Sequence, residues 1–469
     1  MKRIALYLVI YVCAGAGIYA QTLKTNRPEV DKAFSLAVAT LERNTPDSLI
    51  KAGGTYGGEW TRDVSINSWN AATLLMPEKA AYSLWSVCTD GRTRIGHQTW
   101  DHIIWVIAAW DFYQKTGDLA FLRQAYTASQ NTMREREGDA FDAQYGLFTG
   151  PSVFNDGIAG YDEPVFTTAI HSSYVLDYPE ARRIHCLSTN SVYFGAYQAL
   201  EKMATLLGDK AAAKIYRRQA KVLRSQIRTH LYNPAEGRLN YLIDGFGKVH
   251  TQQEGLGVAF AILFGVLTPK EAQQVIRHTY VSAYGLPSIH PHFHRFDDEH
   301  PGRHNSIIWP FVNAFWADAC EQMGRGDILE TELLNLANLA INKSNNCFYE
   351  IYNAKTGEQD GGWQQGDHWP SVYDQTWSAT GFLRMVLTSA LGMEFTPEGL
   401  TLSPDVAVLQ HLGFQSLTGL RYRNGTLDIT VSGTGSRIKA LIVNGQRRSP
   451  KYRIAPATGT TRIEMLLSH

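Results

Sequence analysis

Apolar residues recur three and four positions apart through most of the chain, the spacing that gathers them on one face of an α-helix. The pattern predicts helices over residues 30–44, 64–76, 78–88, 100–117, 118–137, 190–209, 210–232, 255–267, 269–281, 306–324, 328–342 and 375–393. They fall into pairs. In several pairs one partner is apolar almost all round, as in GLGVAFAILFGVL, and the other is amphipathic, as in PKEAQQVIRHTYV. A helix apolar on every side has to be covered on every side, whereas an amphipathic one can do the covering. Buried helices inside a ring of amphipathic ones satisfy both, so the expected fold is all-α, an (α/α)6 toroid. From about Phe395 the period changes to two, with Asn-Gly turns in RYRNGTLDITVSG and LIVNGQ, which predicts a small β-rich segment. The expected division is a targeting segment at 1–20, a helical catalytic domain at 21–394 and the β-rich segment at 395–469.

The connections carry the chemistry. Some are tight turns, such as LMPEK and LGDK. The others are long and rich in Gly, Trp, Asp and His: KAGGTYGGEWTRD, RIGHQTWD, FTGPSVFNDGIAGYDEP, RRIHCLSTN, TQQEGLG, PHFHRFDDEHPGRHN and the stretch from Asn345 to Ala379. Long irregular loops are uncommon in a compact domain unless they work, and in a toroid they gather on one face. The last stretch interleaves Glu350, Glu358, Asp367 and Asp374 with Trp363, Trp369 and Trp377. Aromatic faces beside carboxylates suit a sugar, whose C–H faces stack on rings while its hydroxyls bond to polar groups.

Composition narrows the alternatives. The 469 residues carry 44 basic and 44 acidic side chains, so no basic stripe recommends a nucleic acid. Lys2 and Arg3 precede a short apolar run ending at Ala20, which reads as a signal peptide cleaved before Gln21 and predicts export to the periplasm or beyond. No other run approaches the roughly 20 apolar residues of a membrane span. Cys13 follows Tyr11 and Val12, a poor setting for lipidation. Cys88, Cys186, Cys320 and Cys347 allow three disulfide pairings, and spacing does not choose among them. The cluster HPHFHRFDDEH, His290 to His300, has ligand-type residues without a recognised metal spacing, so no metal and no cofactor is expected.

Several loops resemble the six-hairpin glycosidases. GGEWTRDVSINSW is similar to their Trp-x-Arg-Asp entry segment, and QTWDHIIWVIAAWDFYQKTGD to the segment that follows it. FNDG stands where those enzymes carry a general acid. STNSVYFGAYQALEKMATLLGD, CFYEIYNAKTGE and QTWSA resemble later segments in the same order. The resemblance spans about 27–400 and is nearest to glycoside hydrolase family 63 and the mannosylglycerate-hydrolase-like enzymes, with the glycogen-debranching glucosidase domain next. It implies hydrolysis of α-linked glycosides with inversion, of glucoside type, at a chain end.

Inversion needs one protonated carboxyl for the leaving oxygen and one ionised carboxylate for water on the opposite face. Asp156 in FNDG is the expected acid, with Asp162 and Glu163 behind it; the competing reading of Asn-Asp-Gly is a plain turn. Glu350 is the expected base, with Asp374 and Glu358 as alternatives. Trp60, Arg62, Asp63, Trp100, Asp101, Asn190, Glu254, Trp309, Trp363 and Trp377 are the expected substrate ligands. Helix capping competes for Asp63, Asp101 and Asn190, and core packing for Trp309 and Trp377. An α-L-rhamnosidase, a trehalase or a phosphorylase fits the same fold. So do a uronate lyase centred on HPHFHR and a non-catalytic glycan binder. The expected partner is an oligosaccharide or glycoside; oligomeric state is open.

Overall fold

The computed structural model describes residues 21–469 except Glu59. The expected signal peptide, with Cys13, lies outside the described residues. Twelve helices stand where the periodicity puts them: α1 (Pro28–Arg43), α2 (Thr61–Asn67, running on to Leu75 through a π-helical turn), α3 (Pro77–Ser86), α4 (Ile104–Thr116), α5 (Leu119–Asp139), α6 (Leu187–Leu207), α7 (Lys210–Leu231), α8 (Gly255–Leu263), α9 (Pro269–His278), α10 (Pro310–Gln322), α11 (Gly326–Asn338) and α12 (Thr376–Arg384). A further short helix, α13 (Val406–Leu412), has no counterpart in the periodicity; Asp405 caps it through the backbone N–H groups of Ala407 and Val408.

Six of these pack edge to edge in a closed circuit, α2 on α4, α4 on α6, α6 on α8, α8 on α10, α10 on α12 and α12 back on α2. Their residues are almost wholly buried, as in α8, where every residue from Gly255 to Ile262 is covered. Amphipathic partners lie against them, α5 on α4, α7 on α6 and α11 on α10. The division of labour follows from the sequence: an all-apolar helix goes inside, and α7 or α9 buries only its apolar stripe.

The chain is helical but not all-α. A six-stranded sheet is built from β1 (Thr22–Lys24), β2 (Ser416–Tyr422), β3 (Gly425–Ser432), β4 (Arg437–Val443), β5 (Gln446–Arg448) and β6 (Gly459–Ser468), in the order β1-β2-β3-β6-β4-β5. β3 and β6 run parallel; the other pairs are antiparallel. β1 pairs with β2, so the sheet draws a strand from the N-terminal end of the described chain, which three residues of TLK give no alternation long enough to reveal. Arg423 fastens the sheet to the helices through the carbonyls of Gln114, Thr396 and Pro397. All four described cysteines are free thiols.

Inside the ring, charge is paired. Asp318 of α10 accepts from Arg384 Nε of α12 at 2.9 Å, and the Arg384 guanidinium lies 4.7 Å from the rings of both Trp69 and Phe315. Lys115 of α4 meets Asp111 at 2.7 Å and donates to the Trp69 carbonyl. A buried charge left single would cost several kcal/mol, so these pairs are tolerable only as pairs.

Buried carboxyls give the folded chain a pH dependence, Glu332 and Glu321 among them. Burial pushes Glu332 of α11 up to about 8, against one bond from Asn313 Nδ2. Burial, then the Asp318 charge, pushes Glu321 to about 8. Both keep a proton in the folded chain where the unfolded chain has lost it, so stability held at low pH is lost as pH rises toward 8. An ordinary histidine is half protonated at about pH 6.5 and nearly neutral by about pH 7.5, so histidines that burial keeps neutral offset the trend only at its lower end. Urea titrations at about pH 6.5, 7.25 and 8 are expected to show a falling unfolding free energy. In Glu332→Gln the fall should be shallower by about 1.4 kcal/mol per pH unit; an unchanged slope would refute the assignment.

Candidate active site

The long loops meet over one end of the helical circuit and enclose a cavity of about 230 Å³. Tyr56, Trp60, Arg62 and Asp63 come from the first loop and the start of α2. Phe154, Asp156 and Gly157 come from the third long loop, followed by Ser173 and Tyr174. Arg303, His304 and Trp309 precede α10. Glu350, Gln364, Trp369, Gln375 and Trp377 come from the stretch before and into α12. Ala52 completes the wall.

Arg62 is the electrostatic centre. It is buried, and its Nη2 donates to Asp156 Oδ2 at 2.7 Å while Nη1 reaches Asp101 Oδ2 at 3.2 Å and also bonds to Gln98. Nε lies 3.5 Å from Asp63 Oδ2. One guanidinium thus serves three carboxylates. Burial pushes Asp63 up to about 7 and Asp101 to about 6, against the pull of Arg62. For Asp156 the balance falls the other way: burial raises it, but Arg62 holds it below the usual carboxylate range. Its side chain is 22% exposed, the most open of the three.

Glu350 has its own arginine. Arg303 Nη2 donates to Glu350 Oε2 at 2.6 Å, and Nη1 donates to the Gly361 carbonyl at 2.9 Å. The Arg303 guanidinium lies 5.5 Å from the Trp309 ring and 5.6 Å from that of Trp369. Burial raises the Glu350 carboxyl further than Arg303 lowers it. The backbone N–H of Glu350 is fixed to the Val372 carbonyl, and fully buried Tyr352 turns its hydroxyl to the Tyr349 N–H. Two carboxyls in unlike surroundings therefore face one cavity, the arrangement that lets one group hold a proton while the other takes one.

The loop bearing Asp156 is held from behind. At the start of α6, Ser188 Oγ accepts the Val153 N–H at 3.0 Å, Thr189 Oγ1 donates to the Pro151 carbonyl, and Asn190 bonds both backbone groups of Phe148. Glu254 Oε2 accepts the Ser188 N–H at 2.9 Å. Trp100 Nε1 donates to the Ser152 carbonyl. Phe154 sits at φ 62°, a conformation unusual for a bulky residue, its buried ring boxed by Trp309 and Phe311.

Of the expected residues, Asp156, Glu350, Trp60, Arg62, Asp63, Trp309 and Trp377 line the cavity. Trp100, Asp101, Asn190, Glu254 and Trp363 are not among the residues that line it. The first four spend their polar atoms on Arg62 or on the Asp156 loop, and Trp363 packs against His300 and His368. Asp374 pairs with Arg43 at 2.7 Å and Glu358 with Lys343 at 3.0 Å; like Asp162 and Glu163, neither reaches the cavity wall. The histidines of HPHFHRFDDEH are dispersed outside the wall: His290 stacks on Tyr280, while His292 and His300 pair with Asp298 and Asp297. Among the described residues no group of three or more His, Cys, Asp or Glu is placed to hold a metal. Sequence reasoning missed Tyr56, Ser173, Tyr174, Gln364 and Gln375 as wall residues. Tyr56, Gln364 and Gln375 lie in loops already singled out and Ser173 and Tyr174 between two of them, but nothing local distinguishes a lining side chain from its neighbours.

Residues 89–378 match the model of the mannosylglycerate hydrolase MGH1-like glycoside hydrolase domain. No curated protein matches the chain's sequence. Among solved structures, the GH63 mannosylglycerate hydrolase of Thermus thermophilus in complex with Tris is 16% identical with a TM-score of 0.60, the match covering 76% of this chain and 100% of that one. The GH78 family rhamnosidase of Bacillus sp. GL1 is 11% identical with a TM-score of 0.61, over 96% of this chain and 44% of that one. The Klebsiella oxytoca rhamnosidase with rhamnose bound is 14% identical with a TM-score of 0.54, over 78% and 65%. At such identities the likeness is one of fold.

Removing the shared cation should be felt twice. In Arg62→Met the cluster of Asp63, Asp101 and Asp156 loses its counter-charge, so the folded chain is expected to lose about 3–5 kcal/mol in urea unfolding. Turnover of any substrate should fall at least about a hundredfold, since Asp156 loses its anchor. Parent-like stability would show that the carboxylates do not depend on Arg62.

Proposed function

The chain belongs to the mannosylglycerate hydrolase MGH1-like glycoside hydrolase family, and from that premise we propose that it is an exported, exo-acting enzyme that hydrolyses α-linked glycosides of glucoside type with inversion. The helical circuit is read as the (α/α)6 toroid and the sheet as its accessory. The observation that carries the mechanism is that Asp156 and Glu350, far apart in sequence, line one cavity and each holds a different arginine.

In this reading a terminal sugar fills the cavity, with Trp60, Trp309 and Trp377 supplying faces and Asp63 and Arg62 meeting hydroxyls. Asp156 gives its proton to the glycosidic oxygen as the C–O bond breaks. Glu350 takes a proton from a water that attacks the anomeric carbon from the opposite side, and the products are a free sugar of inverted configuration and the aglycone alcohol. In the empty cavity Asp156 lies below the usual range. A sugar covering its exposed part removes water from an ionised carboxylate and moves its pKa upward, toward the value a donor needs. Arg62 then stabilises the carboxylate left after transfer.

A second reading exchanges the two roles, and one observation favours it: in the empty cavity Glu350 is the carboxyl raised and Asp156 the one lowered. Kinetics separates the two readings. A glycosyl fluoride leaves without protonation, so only the variant lacking the acid retains turnover of it while losing the disaccharide; the variant lacking the base loses both.

The test is incubation of the mature protein with α- and β-linked aryl glycosides and disaccharides of gluco, manno, galacto and rhamno sugars, with product anomers followed by NMR. The β-anomer is expected from an α-glycoside, with losses of at least about a hundredfold in both Asp156→Asn and Glu350→Gln. Retention of configuration would overturn the inverting mechanism, and release of rhamnose alone would overturn the sugar assignment.

A further inference from the structure

His304 has no part in the chemistry above, yet the FNDGIAG loop is shaped around it. Its ring is buried and stacks on Trp309, centroids 4.8 Å apart and planes 22° apart. Nδ1 lies 3.1 Å from Asn155 Oδ1, and Nε2 lies 3.6 Å from Asp156 Oδ1. Two glycines make the approach possible. A Cβ on Gly157 would run into the Gln364 amide and the His304 ring, 2.7 Å from Nε2, and one on Gly160 would crowd the His304 Cβ at 3.1 Å. Gly157 has an ordinary backbone angle, so space for the ring is what its position demands.

The two oxygens of Asp156 therefore meet different partners. Oδ2 faces the Arg62 Nη2 donor at 2.7 Å, where a proton on the carboxyl would have no acceptor. Oδ1 faces His304. Because the Asn155 carbonyl oxygen accepts from Nδ1–H, the other ring nitrogen carries a lone pair. A lone pair opposite Oδ1 is unfavourable beside a bare carboxylate oxygen and favourable beside a protonated one. Burial keeps the imidazole neutral, its pKa pushed down to about 3 despite Asp156, so it does not compete as an acid.

We infer that His304 is a positioning residue that places the transferable proton of Asp156 on Oδ1 and fixes the plane of that carboxyl, Arg62 holding the other edge. The inference rests on the assignment of Asp156 as the general acid. Asn155 acts in turn on His304, by choosing its tautomer, and Trp309 fixes the ring plane.

The test compares kcat and KM for a disaccharide and for the glycosyl fluoride of the same sugar, glucosyl or mannosyl according to which the parent turns over. Asp156→Asn sets the reference: a large loss on the disaccharide with the fluoride spared. His304→Phe keeps a flat ring against Trp309 and removes both nitrogens. It is expected to lower the disaccharide-to-fluoride ratio of kcat roughly tenfold, with KM for the disaccharide within about twofold. His304→Gln, which can turn an oxygen toward Oδ1, should restore part of that ratio. Gly157→Ala, whose methyl crowds the ring and the Gln364 amide without altering either, should lower the same ratio. If His304→Phe and Gly157→Ala slow both substrates equally, or raise KM alone, the positioning role is wrong. If Asp156→Asn itself fails to distinguish the two substrates, the acid assignment falls first and this inference with it.

Discussion

One buried guanidinium shared by three carboxylates is the constraint around which the active end is built. Arg62 can stay inside the protein only because Asp63, Asp101 and Asp156 neutralise it, and they can stay only because it is there. The members come from three segments: α2, the loop before α4, and the loop after α5. Seating this one cation therefore fixes the relative positions of three hairpins. The same contact sorts the acids chemically: the one nearest the guanidinium is held ionised, while Asp63 and Asp101, deeper and less well compensated, are driven upward by desolvation.

Glu350 stands outside that network with Arg303, which also holds the Gly361 carbonyl and lies beside Trp309 and Trp369. The two arginine–carboxylate units meet across a space of about 230 Å³ lined by rings. Elsewhere inside the circuit the same rule holds with simpler pairs, Arg384 with Asp318 and Lys115 with Asp111. The apolar helices give the circuit its closure; paired charges decide where polar groups may sit within it. The side chains at the start of α6 show how a helix terminus serves the site without touching substrate, by tying down the strained backbone that presents Asp156.

Much of the helical body was legible because burial writes itself locally. An inner helix has to be apolar on all faces and an outer one on a stripe, so the twelve helices and their pairing follow from periodicity alone. The long polar loops were legible for the converse reason, since they break that periodicity with residues a core rejects, and the motif order within them carried Asp156, Glu350, Arg62 and Asp63 to one place. β1 was not legible, because three residues gain strand character only from the partner they meet some four hundred positions later.

What only the tertiary structure decided is which way each polar side chain turns. Asn190 and Glu254 have the same letters and spacing whether they face a sugar or a backbone amide, and packing turned both toward the Asp156 loop. Trp363 and Trp377 belong to one aromatic-rich stretch, yet one packs on histidines outside the cavity and the other lines it. Gln375, Tyr56 and His304 join the site through contacts between segments with no local signature. The sequence by itself determined the elements and the loops that hold the chemistry, because both are set by short-range pattern and solvation. Charge compensation at Arg62 and the orientation of side chains into the cavity are many-body outcomes of closing the ring, and they exist only once it is closed.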